Sequence, residues 1–310
     1  MKKLLAGILV LAILLSMAAC GLETKETQQL TTQSPTEKNG EDEKTEAPTE
    51  APTEAPTEAV KNEKAEIAET VVFENDDFTI TATKLEEDPV WGTSIHFIVD
   101  NRTDKNVALS GDRFVVNGIT LSGWLYIYAA AGKKGKGELQ WAGTALEDSH
   151  ITEIATLSAF DARIVDTDSY DTLVDVPFEI RTSIADTYVQ EINEEGELLW
   201  EQDGVTVIAQ TTGSSWASHE VRLFIKNDTG KNMILSADNI SVNGFTITGL
   251  MSERVQAGTV CYGSLSLFNS ELEDADIEEI EEVSFTLRIL DPETFSTQAE
   301  SDELTLYPAK

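Results

Sequence analysis

Trp124-Leu125-Tyr126-Ile127-Tyr128 carries three rings at every second residue, and Lys133, Lys134 and Lys136 follow within a few positions. In an extended strand alternate side chains share a face, so the rings form a row about 13 Å long from first to last. Exposed, such a row stacks on the C–H faces of sugars, and the ammonium groups attract an anionic polymer. These six residues are the candidate ligand-binding set. The commoner fate of rings on an alternating strand is packing, inside a sandwich or against a neighbouring unit, and that is the expectation here. Trp91 and Trp216 carry the same two readings at loop positions.

Other reactive side chains are sparse. The three histidines, His96, His150 and His219, belong to no HExxH, GxSxG, SxxK or phosphate-loop pattern. No nucleophile, base and orienting group can be assembled from motifs, so the chain reads as a non-enzyme with no catalytic residue and no cofactor. The acidic run from Glu271 to Glu282 supplies oxygens suited to calcium but lacks a glycine-bearing ligand loop. It reads as a solvated face, and no metal site is expected.

The formal charge is -34, and it becomes -36 if Lys2 and Lys3 leave with a leader. Nucleic acid is therefore excluded as a partner. Of the two cysteines, Cys20 and Cys261, the second reads as a small buried apolar group.

The beginning of the chain addresses it. Lys2 and Lys3 precede an apolar stretch from Leu4 to Leu15, too short to span a bilayer, and Met17-Ala18-Ala19-Cys20 follows. This resembles the lipobox of bacterial lipoprotein signal peptides, with Met17 where the family carries leucine. The resemblance implies removal of residues 1–19, lipidation of Cys20 and attachment to the membrane by the lipid. Residues 20–70 are rich in Thr, Glu and Pro and contain TEAPTEAPTEAPTEA from Thr45 to Ala59. Such a segment cannot offset its ordering entropy by apolar burial and reads as a disordered tether. A spacer through a cell wall and a glycosylated stalk are both consistent with it.

The remainder says the same thing twice. NRTDKNVALSGDRFVVNGIT, from residue 101, returns as NDTGKNMILSADNISVNGFT from residue 227. The correspondence continues through Ala131-Gly132 and Ala257-Gly258, then Leu146-Glu147-Asp148 and Leu272-Glu273-Asp274. Period-two alternation at Phe78–Ala82, Ile95–Val99, Val221–Ile225, Phe160–Ile164 and Phe285–Ile289 predicts half-buried strands. Asn117-Gly118 and Asn243-Gly244 predict type I′ hairpin turns. Short helical turns are expected near Leu146 and Leu272.

The predicted fold is all-β: two tandem immunoglobulin-like β-sandwich domains of about seven strands each, at 71–183 and 197–308, after the leader and tether. The repeated motifs, N-x-T-x-K-N, V-N-G, A-G with G-x-L, and L-E-D-x-x-I-x-x-I, resemble a recurrent domain of lipoproteins from Gram-positive gut bacteria. That resemblance implies an Ig-like fold at the cell surface and transfers no catalytic residue. The expected function is a lipid-anchored extracytoplasmic binding or adhesion module. Its partner is a cell-wall polymer, a glycan or another surface protein. The alternative is a structural, envelope-maintaining role with no discrete ligand.

Overall fold

The computed structural model describes residues 28–29, 64–88, 92–141 and 144–307. The lipobox with Cys20, the Thr45–Ala59 repeat and Trp91 lie outside the described residues.

The chain is all-β. The first repeat runs through β2 (Thr70–Glu74), β3 (Phe78–Asp88), β4 (Gly92–Asn101), β5 (Val107–Val116), β6 (Ile119–Ala129), β7 (Lys134–Gln140), β8 (Thr156–Ala159), β9 (Arg163–Asp166), β10 (Thr172–Asp175) and β11 (Phe178–Arg181); β1 is the pair Gln28–Gln29. The second repeat runs through β12 (Glu197–Gln202), β13 (Val205–Ser214), β14 (Ser218–Asn227), β15 (Met233–Val242), β16 (Phe245–Thr246), β17 (Gly249–Leu250), β18 (Ser252–Val255), β19 (Thr259–Phe268), β20 (Val283–Leu290), β21 (Thr297–Glu300) and β22 (Leu304–Leu306). The expected helical turns are α1 (Ala145–Asp148) and α2 (Asn269–Asp274).

Both halves use one pairing scheme. Phe97 pairs with Gly137 across β4 and β7, and Leu223 pairs with Gly263 across β14 and β19. Leu109 pairs with Ile164 as Leu235 pairs with Ile289. In the second half, β13, β14 and β19 face β15 and β20, and Val207, Leu223 and Leu265 meet Leu235, Val242, Phe285 and Leu287 between them. In the first half, Ile80, Phe97 and Leu139 meet Leu109, Phe114, Leu157 and Ile164 in the same way. This is β-sandwich packing, with alternate residues of each strand facing inward.

The Asn-Gly turns form as expected. Asn117 and Gly118 take φ of 52° and 85°, Asn243 and Gly244 51° and 82°. Each asparagine also pins a loop: Asn117 donates to Glu153 O and accepts from the backbones of Ala155 and Thr156, while Asn243 does the same with Glu279, Glu281 and Glu282. Asp203-Gly204 makes a third turn of this kind between β12 and β13.

The repeated Asn-x-Thr is structural. Asn101 is buried, donates to the carbonyls of Lys105, Ala129 and Ala130, and accepts from Thr103 N and Oγ1. Asn227 repeats this with Lys231, Val255 and Thr229.

Three expectations are corrected. Among the described residues the strands outnumber the expected seven per half, ten in the first and eleven in the second; β20 is continuous, but its counterpart breaks between β8 and β9, so Phe160 lies outside any strand. The break falls where Asp161 stands opposite Asp112, and like charges opposite each other disfavour pairing. Folded packing also begins before residue 71: Ala65 is buried, the Glu66 N–H donates to Ser183 Oγ, and the Ser183 N–H donates to Glu66 O. Finally, the halves do not merely follow one another. Phe224 and Val260 belong to the apolar cluster of the first half.

Candidate functional site

β6 lies flat against β5, and its alternation decides where the rings go. Leu125, Ile127 and Ala129 are buried in the sandwich, so Trp124, Tyr126 and Tyr128 stand on the outer face, 58%, 49% and 50% exposed. The packing expectation is thereby overturned for these three. Trp216 is also exposed, at a loop tip.

The register gives the rings their neighbours. Tyr126 pairs with Ser110, which pairs with Arg163; Tyr128 pairs with Ala108, which pairs with Val165. A β-bulge between Gly111 and Arg113 sets Asp112 beside Trp124, and Asp161 lies across from Asp112. The outer face is thus a row of rings, a middle row of short side chains (Asp112, Ser110, Ala108), and a third row of Asp161, Arg163 and Val165. Ser110, short and partly exposed, lies between Tyr126 and Arg163 and leaves a shallow groove there, with the ring on one side and the arginine on the other, while Ala108 is fully buried.

The electrostatics of the groove are mixed. Partial burial and the nearby Asp112 carboxyl raise the pKa of Asp161 to about 7, opposed by the Arg113 backbone N–H. The Arg163 guanidinium has no carboxylate within ion-pair distance among the described residues.

The second half is an internal control. Leu250, Ser252 and Arg254 replace the rings, Thr286 replaces Asp161, and Arg288, the counterpart of Arg163, is ion-paired with Asp238. β6 is continuous through eleven residues, whereas its counterpart is broken into β16, β17 and β18. The rings are confined to the first half, and at the Arg163/Arg288 position only Arg163 is without an ion pair among the described residues.

The lysines do not join this row. β6 and β7 pair only at Trp124–Gln140 and Leu125–Leu139, and Lys134 is 3.0 Å from Asp100 on β4. Among the described residues no lysine stacks on the rings. Their repeat counterparts explain them. Lys133, Lys134 and Lys136 correspond to Thr259, Val260 and Tyr262. Those three belong to the contact between the halves: Thr259 meets Thr120, Val260 pairs with Ile119, and Tyr262 packs edge-on to His150. The lysines at these positions of the first half are exposed.

Elsewhere, His96 sits between Glu86 and Glu138, at 2.8 and 3.2 Å, on the outer face of β4. Among the described residues no group of three or more ligating side chains is placed to hold a metal ion. The thiol of Cys261 is buried and its pKa is pushed up by that burial. Among the described residues no helix is long and apolar enough to cross a membrane.

No family model matches the chain, and no curated protein matches it either. Among solved structures, the chain is similar to the conserved domain protein from Bacillus anthracis: 11% identity, 77% of this chain and 91% of that chain covered, TM-score 0.26. A likeness at that level carries no functional argument.

Sequence reasoning missed Asp112, Ser110, Asp161 and Arg163. The signal was available only as a comparison of the repeats: Thr286 against Asp161 at otherwise matched positions. It could not be placed beside the rings without the strand register.

Proposed function

We propose that the chain is a lipid-anchored extracytoplasmic protein whose folded part is a non-catalytic recognition module at the cell surface. In this reading Cys20 carries the lipid, the Thr/Glu/Pro-rich segment after it holds the module away from the membrane and through the wall, and two Ig-like β-sandwich domains follow. The observation that carries the binding role is the exposed row Trp124, Tyr126 and Tyr128, present in one repeat and replaced in the other. Half-exposed rings flank no core of their own and leave apolar area in water that a bound partner would cover.

The test has two arms. Cells producing the full chain are labelled with a palmitate analogue; label on the wild type and none on Cys20→Ala supports the anchor. Purified wall material is then mixed with the full chain in detergent. Saturable retention that the triple Trp124→Ala, Tyr126→Ala, Tyr128→Ala variant loses supports recognition.

One observation favours the structural reading. The contact between the halves, through Thr120, Thr259, Ile119 and Val260, is of the kind a spacer would need to keep its domains in line. Wall retention unaffected by the ring substitutions would favour that role.

A further inference from the structure

Resting on the recognition reading, we propose that the groove between β6 and β9 binds an extended, uncharged pyranose chain lying along β6, with sugar faces on the rings and hydroxyls on Asp112 and Arg163. Four observations carry it. Rings on alternate positions of one strand recur at about 6.7 Å, so three of them stand in one row. Each ring is about half exposed, which leaves aromatic surface for stacking along C–H faces. The middle row is short at Ser110, between Tyr126 and Arg163, so a ribbon-shaped ligand can settle beside that ring. The polar groups are of both signs. Asp112 and Asp161 repel a polyanion, while Arg163 repels a polycation; paired acceptor and donor groups match vicinal hydroxyls, which need both.

The second half argues for specificity in this set. Where its rings are absent, Arg288, the counterpart of Arg163, is ion-paired to Asp238. Arg163 remains unpaired where the rings are present.

The experiment uses the full-length chain in detergent micelles and a panel of neutral hexasaccharides: chitohexaose, cellohexaose, laminarihexaose and xylohexaose. Polygalacturonate is the polyanionic probe. Titration calorimetry and Trp124 fluorescence report binding. Saturable binding of at least one neutral hexasaccharide is expected, changing less than about twofold on raising salt from low to moderate ionic strength. Trp124→Ala is expected to weaken it about tenfold, and Arg163→Met about tenfold by loss of a charge-assisted bond. Arg288→Met, on the equivalent face of the second half, is expected to leave it unchanged. Circular dichroism shows whether each variant is folded, and Arg163→Lys, which keeps the charge, is a second variant should Arg163→Met fail to fold.

Wall retention that needs the rings but no binding of any neutral hexasaccharide would overturn this inference and leave the recognition reading standing. So would binding of polygalacturonate alone with steep salt dependence. Absence of both wall and hexasaccharide binding would overturn the two together. A protein captured by the same rings, with no saccharide bound, would also overturn it.

Discussion

Thr120 Oγ1 and Thr259 Oγ1, one from each repeat, share a hydrogen bond at 2.7 Å. Beside them the Val260 N–H donates to Gly118 O at 3.1 Å, and Val260 pairs with Ile119 in parallel. The contact depends on the hairpin tip of the first half. Gly118, at φ 85°, ends a type I′ turn and presents its carbonyl to β19. The lysines at 133, 134 and 136 stand where β19 carries Thr259, Val260 and Tyr262, so the same strand position is charged in one half and forms the joint in the other.

The repeated asparagines predict matched losses. Asn101→Ala leaves the carbonyls of Lys105, Ala129 and Ala130 without their side-chain donor, and Asn227→Ala does the same to Lys231 and Val255. Each substitution is expected to cost about 2–4 kcal/mol. Urea denaturation checks this; a loss under about 1 kcal/mol at either position would show that the motif is not what holds these loops.

The ring row predicts the opposite behaviour. Trp124→Ala, Tyr126→Ala and Tyr128→Ala are each expected to change stability by less than about 1 kcal/mol, as surface substitutions do. Leu125→Ala, one residue from Trp124 and buried, is expected to cost about 2–5 kcal/mol. Thermal melts of the four variants read out the alternation directly.

That contrast shows what the sequence conveys. The β class, both Asn-Gly turns, the short helical turns and most inward residues follow from periodicity, because one face of each strand must leave water. Phe224 does not follow: between Leu223 and Ile225 it occupies an outward position, yet it is fully buried because the other half covers it. The fate of Trp124, Tyr126 and Tyr128 was equally open, since alternation sorts two faces without naming the inner one. Leu125, Ile127 and Ala129 settle it by being the better core residues. Asp112 and Asp161 are 49 positions apart in the chain, and only strand register sets them face to face.

The acidic pair gives a pH dependence with a definite sign. Asp161 has a folded pKa of about 7, above its ordinary 3.8, so the folded state binds more protons than the unfolded one. Stability from this group is full below about pH 4 and declines as pH rises toward 7. The whole shift corresponds to about 4 kcal/mol, and solvent screening at a part-exposed site reduces it to about 1–2 kcal/mol. Asp161→Asn is therefore expected to stabilise the protein by that amount at pH 8 and by nearly nothing at pH 4. Denaturant midpoints at the two pH values check it. An equal effect at both would assign the change to packing rather than to charge.

Phe224 predicts how the halves are coupled. Its ring lies 5.6 Å from that of Tyr262, and both pack against the first half's apolar cluster, while Leu223 and Ile225 face the second half's own core. Removing Phe224 takes apolar contact from the joint and leaves both interiors intact. Phe224→Ala is expected to cost about 3–5 kcal/mol of coupling and to split a single calorimetric transition into two. Leu223→Ala, by contrast, is expected to lower the second half's stability by about 2–5 kcal/mol through its own interior. The Arg222–Asp148 ion pair at 2.7 Å bridges the same joint, but both groups are well exposed, so its loss in Arg222→Ala is expected to cost less than about 1 kcal/mol and to leave one transition. Scanning calorimetry of the three variants decides the matter. A single transition in Phe224→Ala would show that apolar packing at the joint is not what makes the two repeats unfold together.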